Sequence, residues 1–186
     1  MNSKIGIKKI KDKCYEIKFD LINNKIDSNL IDDFSLITML FNLNKDHFID
    51  GTIQTLNNDI NQRLIMVLVK PICKEFGINQ RYIFLDLSRS ITNKVSYITG
   101  SPGKEITKLP LVYQNLIDSP SVVPTPLANI NFTIDKTQTS SIKINIVFTL
   151  DDTFYSFPMF DTIIKSFLKN IFKKLQQAYS ILVPNS

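Results

Sequence analysis

The stretch NINFTIDKTQTSSIKINIVFTL, residues 129–150, decides how the rest of the chain is read. Ile130, Phe132 and Ile134 alternate with Asn129, Asn131, Thr133 and Asp135. After the polar residues Lys136 to Ser141, Ile142, Ile144, Ile146, Phe148 and Leu150 alternate with Lys143, Asn145, Val147 and Thr149. A period of two belongs to a strand with one buried and one wet face, and two such runs joined by a polar turn predict an antiparallel hairpin. The chain then changes period. Ser156 can cap a helix with Pro158 tolerated in its first turn. At about 100° per residue, Phe160, Ile164, Phe167, Leu168, Ile171, Leu175 and Leu182 share one side, opposite Lys165, Lys169 and Lys173. A long amphipathic helix lying across a sheet is predicted.

Outward from this unit, the same alternation predicts two more hairpins. Ile5 and Ile7, then Tyr15, Ile17, Phe19 and Leu21, flank a turn at Lys11-Asp12-Lys13; Tyr82 to Leu87 and Lys94 to Thr99 bracket Arg89 to Asn93. Between them, Asp27 or Ser28 can cap a helix to about Phe41, with Leu30, Phe34, Ile37, Leu40 and Phe41 on one side. Beyond the polar link Asn42 to Gly51, a second helix fits Ile53, Leu56, Ile60, Leu64, Val67 and Leu68, ended by Pro71 or, if it runs through Phe76, by Gly77. The alternative is a buried strand at Leu64 to Val69. Residues 100–127 hold five of the eight prolines and read as a long surface connection with one short element near Tyr113.

The predicted fold class is α+β: a single domain spanning 1–186, with an antiparallel sheet built from hairpins and packed by two central helices and a long C-terminal amphipathic helix. In element order it resembles the helix-grip arrangement of the START and Bet v 1 families. There, two short helices follow the first strand and a long C-terminal helix crosses a curved sheet over an apolar cavity. The resemblance involves no shared motif residues, and this chain has an extra N-terminal hairpin strand. It implies an apolar ligand site under Phe160 to Leu182.

Composition narrows the function classes. The 186 residues are 44% hydrophobic and 21% charged, ordinary for a globular domain able to bury a core without staples. Ile occurs 28 times, Lys 19 and Asn 17, against two Ala and three Arg, which points to an AT-rich genome such as that of certain viruses, protists or low-GC bacteria. Two cysteines, Cys14 and Cys73, are no disulfide framework and imply free thiols in a reducing compartment. Met1 to Asp12 has no apolar signal-peptide core. The longest wholly apolar run, Leu64 to Val69, is far short of the ~20 residues of a membrane span. The expected location is intracellular or virion-internal, without secretion, so the sequon at Asn131 carries little weight.

Candidate chemistry mostly fails on spacing. His47 has Asp46 and Asp50 nearby and could meet a cysteine through the fold, but it reads as part of an exposed interhelix loop. Asn42, Asn44 and Asp46 have calcium-loop spacing, yet His47 and Ile53 stand where an EF-hand requires Gly and Glu. Gly100-Ser101-Pro102-Gly103-Lys104 lacks the spacing and the Ser or Thr of a phosphate loop and reads as a turn. Asp32-Asp33 reads as helix-start charge in contact with solvent; Asp151, Asp152 and Asp161 could hold a cation but read as structural. No catalytic residue, cofactor or metal site is expected, nor an enzyme.

The net charge of +5 is distributed in blocks. Residues 1–18, 63–109 and 163–186 are basic, and 19–62 and 110–162 are acidic. Sign alternation favours a structural or assembly component, viral in one version, meeting copies of itself or other proteins. The alternative is a module for single-stranded DNA or RNA using Lys4, Lys8, Lys9, Lys11, Lys13, Arg81, Arg89 and Lys94, with Tyr82 or Tyr97 stacking on bases. Three arginines against 14 aspartates weaken that footprint. An apolar-ligand-binding helix-grip protein ranks third.

Overall fold

The alternating segments pair as strands of one sheet. The computed structural model describes residues 4–70, 80–151 and 159–183. In chain order the elements are β1 (Gly6–Lys11), β2 (Cys14–Ile22), α1 (Asp33–Leu43), β3 (Phe48–Leu56), β4 (Asp59–Val69), β5 (Gln80–Thr92), β6 (Val95–Pro102), α2 (Leu111–Ile117), β7 (Val122–Pro124), β8 (Leu127–Asp135), β9 (Ser141–Leu150) and α3 (Phe160–Ile181). The sheet runs β1-β2-β9-β8-β6-β5-β4-β3, antiparallel throughout, with β7 alone added parallel to β5.

All three expected hairpins form, as β1–β2, β5–β6 and β8–β9. The middle one turns more tightly than expected, through Asn93 and Lys94 at φ 50° and 64°, the left-handed pair of a two-residue hairpin turn. Its strands are correspondingly longer, and Gly100 to Pro102 continue β6 rather than forming a turn. Gly100 needs its missing side chain: a Cβ there would stand 2.6 Å from Leu87 Cδ2 and 2.7 Å from Ile130 Cγ2. At the centre, β2 pairs with β9 so that Ile17 faces Ile146, Phe19 faces Ile144 and Leu21 faces Ile142, and every one of these six is buried.

The second central helix does not exist. Its residues form the hairpin β3–β4, turning at Asn57 and Asn58 with φ 53° and 59°. The helical spacing of Ile53, Ile60 and Leu64 is coincidental, and Ile60 is 67% exposed. The alternative at Leu64 to Val69 is the correct one, and its unbroken apolar run has a physical cause. Ile65, Val67 and Val69 enter the main core, whereas Leu64, Met66 and Leu68 enter a second cluster on the other face with Leu109, Tyr113 and Val122. A strand covered on both faces loses its alternation.

The proline-rich segment is what covers that other face. It contains a 3-10 turn at Ile106–Lys108, then α2 and β7, so it closes a second apolar cluster instead of merely crossing the surface. The first predicted helix is divided: Asp27 caps a 3-10 turn at Ser28–Leu30, and Asp32 caps α1 by accepting from Ser35 N at 3.0 Å. The expectations at Pro71, Cys73, Gly77, Ser156 and Pro158 fall outside the described residues.

Asp33 is not solvated as helix-start charge. It is 1% exposed and receives Lys136 Nζ at 2.6 Å, Ser96 Oγ at 2.7 Å and Arg89 Nη1 at 3.4 Å. These contacts tie the start of α1 to β5, β6 and the β8–β9 turn. Among the described residues no helix is long and apolar enough to cross a membrane.

Candidate ligand cavity

α3 is held across the sheet unevenly. Its C-terminal half buries Ile171, Phe172, Leu175, Gln176 and Tyr179. Asn23 Nδ2 donates to Tyr179 O at 2.7 Å and Leu182 O at 2.9 Å, and Gln176 Nε2 donates to Asp20 O at 2.9 Å. Toward the N-terminal end the tether is peripheral: the Tyr15 hydroxyl donates to Asp161, and Lys9 pairs with the same carboxylate at 3.4 Å. Burial and the neighbouring Asp161 charge push the Tyr15 phenol well above its usual range, while the Tyr15 hydrogen bond holds the Asp161 carboxyl down. Phe160, Ile163, Ile164, Phe167 and Leu168 are only partly buried.

Beneath that half-buried stretch lies a cavity of about 380 Å³. Its roof is α3 from Phe160 to Phe172; its floor includes Ile17, Ile65, Ile83, Leu85, Leu87, Ile130, Phe132, Ile146 and Phe148; Ile37, Leu40 and Phe41 of α1 form a side wall. Strand periodicity selects the floor, since Ile83, Leu85 and Leu87 share a face of β5 while Tyr82 and Phe84 join the opposite cluster. Among the described residues only Lys70, Arg81 and Thr125 interrupt the apolar lining. Arg81 stands opposite Val69 in the β4–β5 register, so Lys70 and Arg81 are neighbours at one end of the two strands. Arg81 Nη1 donates to Pro124 O at 2.9 Å, and burial pushes its guanidinium below its ordinary value.

The residues proposed for a nucleic-acid surface do not converge. Lys4, Lys8, Lys9, Lys11 and Lys13 lie on or beside β1, separated from β5 by β2, β9, β8 and β6 in the sheet. Lys8 pairs with Glu16 at 2.9 Å and Lys9 with Asp12 at 3.1 Å. Arg89, with 8% of its side chain exposed, is engaged by Asp32 at 2.8 Å and lies over the Phe34 ring. Tyr82 packs into the second cluster, Arg81 lines the cavity, Lys94 is in a turn, and Tyr97 is an exposed ring on β6. Of the ten candidates only Arg81 belongs to the cavity. Its odd-numbered alternation with Ile83, Leu85 and Leu87 is the sequence signal that identifies its buried face; Lys70 has no comparable signal.

The other chemical candidates are also placed. His47 sits between α1 and β3 rather than between helices. It stands edge-on to Phe167 at 4.9 Å, with Asp46 Oδ2 3.6 Å from Nε2. Cys14 is a buried free thiol at the start of β2, accepting from Thr149 Oγ1 at 3.6 Å. Asp161 is engaged by Tyr15 and Lys9, and no group of three metal-ligating side chains occurs among the described residues.

No family model matches the chain, and no curated protein matches it by sequence. Solved structures do match in shape. The human StarD13 (DLC2) lipid transfer and protein localization domain superposes with TM-score 0.65 at 6% identity, covering 98% of this chain and 89% of that one. Human STARD10 gives 0.60 at 12%, covering 94% and 72%. A STAR-related lipid transfer protein from Xanthomonas axonopodis gives 0.59 at 8%, covering 94% and 98%. With the cavity, this likeness overturns the expectation of a structural or assembly component, viral or otherwise, with a nucleic-acid module in second place. The nine-stranded, mainly antiparallel sheet gripping a C-terminal helix is consistent with the helix-grip fold that the resemblance in element order implied.

Proposed function

We propose that the protein binds a single apolar ligand in the cavity beneath α3 and acts as a carrier or sensor without catalysing a reaction. The observation that carries this reading is the roughly 380 Å³ of space lined almost entirely by aliphatic and aromatic side chains. Ordinary interiors pack with few voids larger than a water molecule, so a space of this size between well-formed layers is a binding feature. The likeness in shape to a lipid transfer and protein localization domain and to a STAR-related lipid transfer protein supports it. Among the described residues the lining holds no Cys, His, Ser, Asp or Glu, and its one hydroxyl is Thr125. The buried free thiol of Cys14 supports a reducing compartment as the place of work.

The test is photolabelling with a ten-carbon alcohol carrying a diazirine on its chain, followed by peptide mapping. Adducts are expected on peptides containing Ile164–Phe172 and Ile144–Leu150 and to be suppressed by excess decanol. Adducts confined to surface residues, or insensitive to decanol, would defeat the proposal.

A further inference from the structure

Among the described residues, Lys70 and Arg81 are the only charged groups in a lining that is otherwise apolar apart from Thr125. Their surroundings differ from those of Arg89, which is engaged by Asp32 and Asp33: among the described residues no carboxylate pairs with Lys70 or Arg81. Arg81 has one backbone acceptor, Pro124 O, for a guanidinium with five N–H donors. Resting on the cavity reading above, we infer that the ligand is a single-chain amphiphile with an anionic head, the head lying at Arg81 and Lys70 and the chain running inward under α3.

Three features lead to this class. A partly buried guanidinium without a carboxylate is costly until an anion arrives, and its planar fork matches a carboxylate or phosphate in two parallel bonds. Lys70 is exposed while Arg81 is half-buried, which places the cations at a boundary between solvent and cavity, where an amphiphile changes character. The volume of about 380 Å³ lies near the lower end of the ~300–1,000 Å³ spanned by ligand pockets, which suits one chain better than two. The few polar groups of such a pocket fix the ligand's orientation while the apolar wall supplies most of the affinity.

Isothermal titration of the full chain with decanoate, decyl phosphate, decanol and decyltrimethylammonium tests this, since the tails are equal and only the heads differ. At least one anion is expected to bind ten-fold or more tightly than decanol, and the cation more weakly. The tighter anion identifies a carboxylate or a phosphate head. In Arg81→Gln the ratio of anion to decanol affinity should fall toward one, and Arg81→Lys should recover part of it. Decanol binding as tightly as both anions, or a ratio unchanged in Arg81→Gln, overturns the head-group assignment while leaving the cavity intact. If none of the four binds, both fall. Should the variants fail to fold, the wild-type series decides alone.

Discussion

Replacing Ile164 with Trp is expected to reduce decanol affinity at least ten-fold, about 1.4 kcal/mol, without lowering the melting temperature. Ile164 is a half-buried roof residue of α3, and its side chain borders the cavity rather than a packed neighbour on every side. The larger indole can therefore enter space that a ligand would occupy. Extra apolar area removed from water stabilises by ~25 cal/mol per Å². Insertion into a filled core would instead force displacement costing ~1–3 kcal/mol, or about 2–4 °C of melting temperature per kcal/mol for a chain of this size. Thermal unfolding together with decanol titration separates the cases. Lost binding with retained stability confirms a cavity; a lowered melting temperature with binding intact means the roof is packed and the ligand lies elsewhere.

Asp33→Ala is expected to be the most destabilising single change, by about 3–5 kcal/mol, the range for removing one member of a buried ion pair. Lys136 and Arg89 are both almost buried at the side chain, 10% and 8% exposed, and would lose their shared counter-charge. Lys136 also donates to Ile31 O, and Ser96 Oγ would lose its acceptor. The expected fall in melting temperature is roughly 6–20 °C. Because α1 supplies the wall residues Ile37, Leu40 and Phe41, loosening its first turn should weaken ligand binding as well. Replacing Asp33 and Lys136 together by Leu and Met should cost less than the sum of the single changes, because neither charge is then left unpaired. Denaturant unfolding of the four proteins checks this; strict additivity would show that the pair is not coupled.

How much of this is legible in the sequence depends on how many faces of each element are buried. β2, β8 and β9 alternate because one face is wetter than the other, and the amphipathic face of α3 is plain because its outer side carries Lys165, Lys169 and Lys173. β4 is illegible for the opposite reason. Leu64 to Val69 are buried on both sides, and a continuous apolar run can belong to a strand or a helix. The covering of its outer face comes from residues 106–124, whose proline content suggests a loose connection and hides Leu109, Tyr113 and Val122 as packing residues.

The cavity is legible only in part. Periodicity identifies which side chains face inward, including Arg81 among Ile83, Leu85 and Leu87. It does not show whether those side chains meet, because the distance between roof and floor is set by the curvature of the sheet and by where α3 is anchored. Asn23 and Gln176 fasten the C-terminal half, and those two polar residues carry no periodic signal. The charge blocks mislead for a related reason: segments that are basic in order along the chain are dispersed by the sheet order, with β1 at one edge and β5 across four intervening strands.

The most direct measurement is the stoichiometry and heat capacity of decanol binding to the unmodified chain by titration calorimetry at several temperatures. One ligand per chain is expected, with saturation and a negative heat-capacity change from apolar burial. Uptake that does not saturate, several equivalent ligands per chain, or no binding at all would contradict a single apolar site beneath α3.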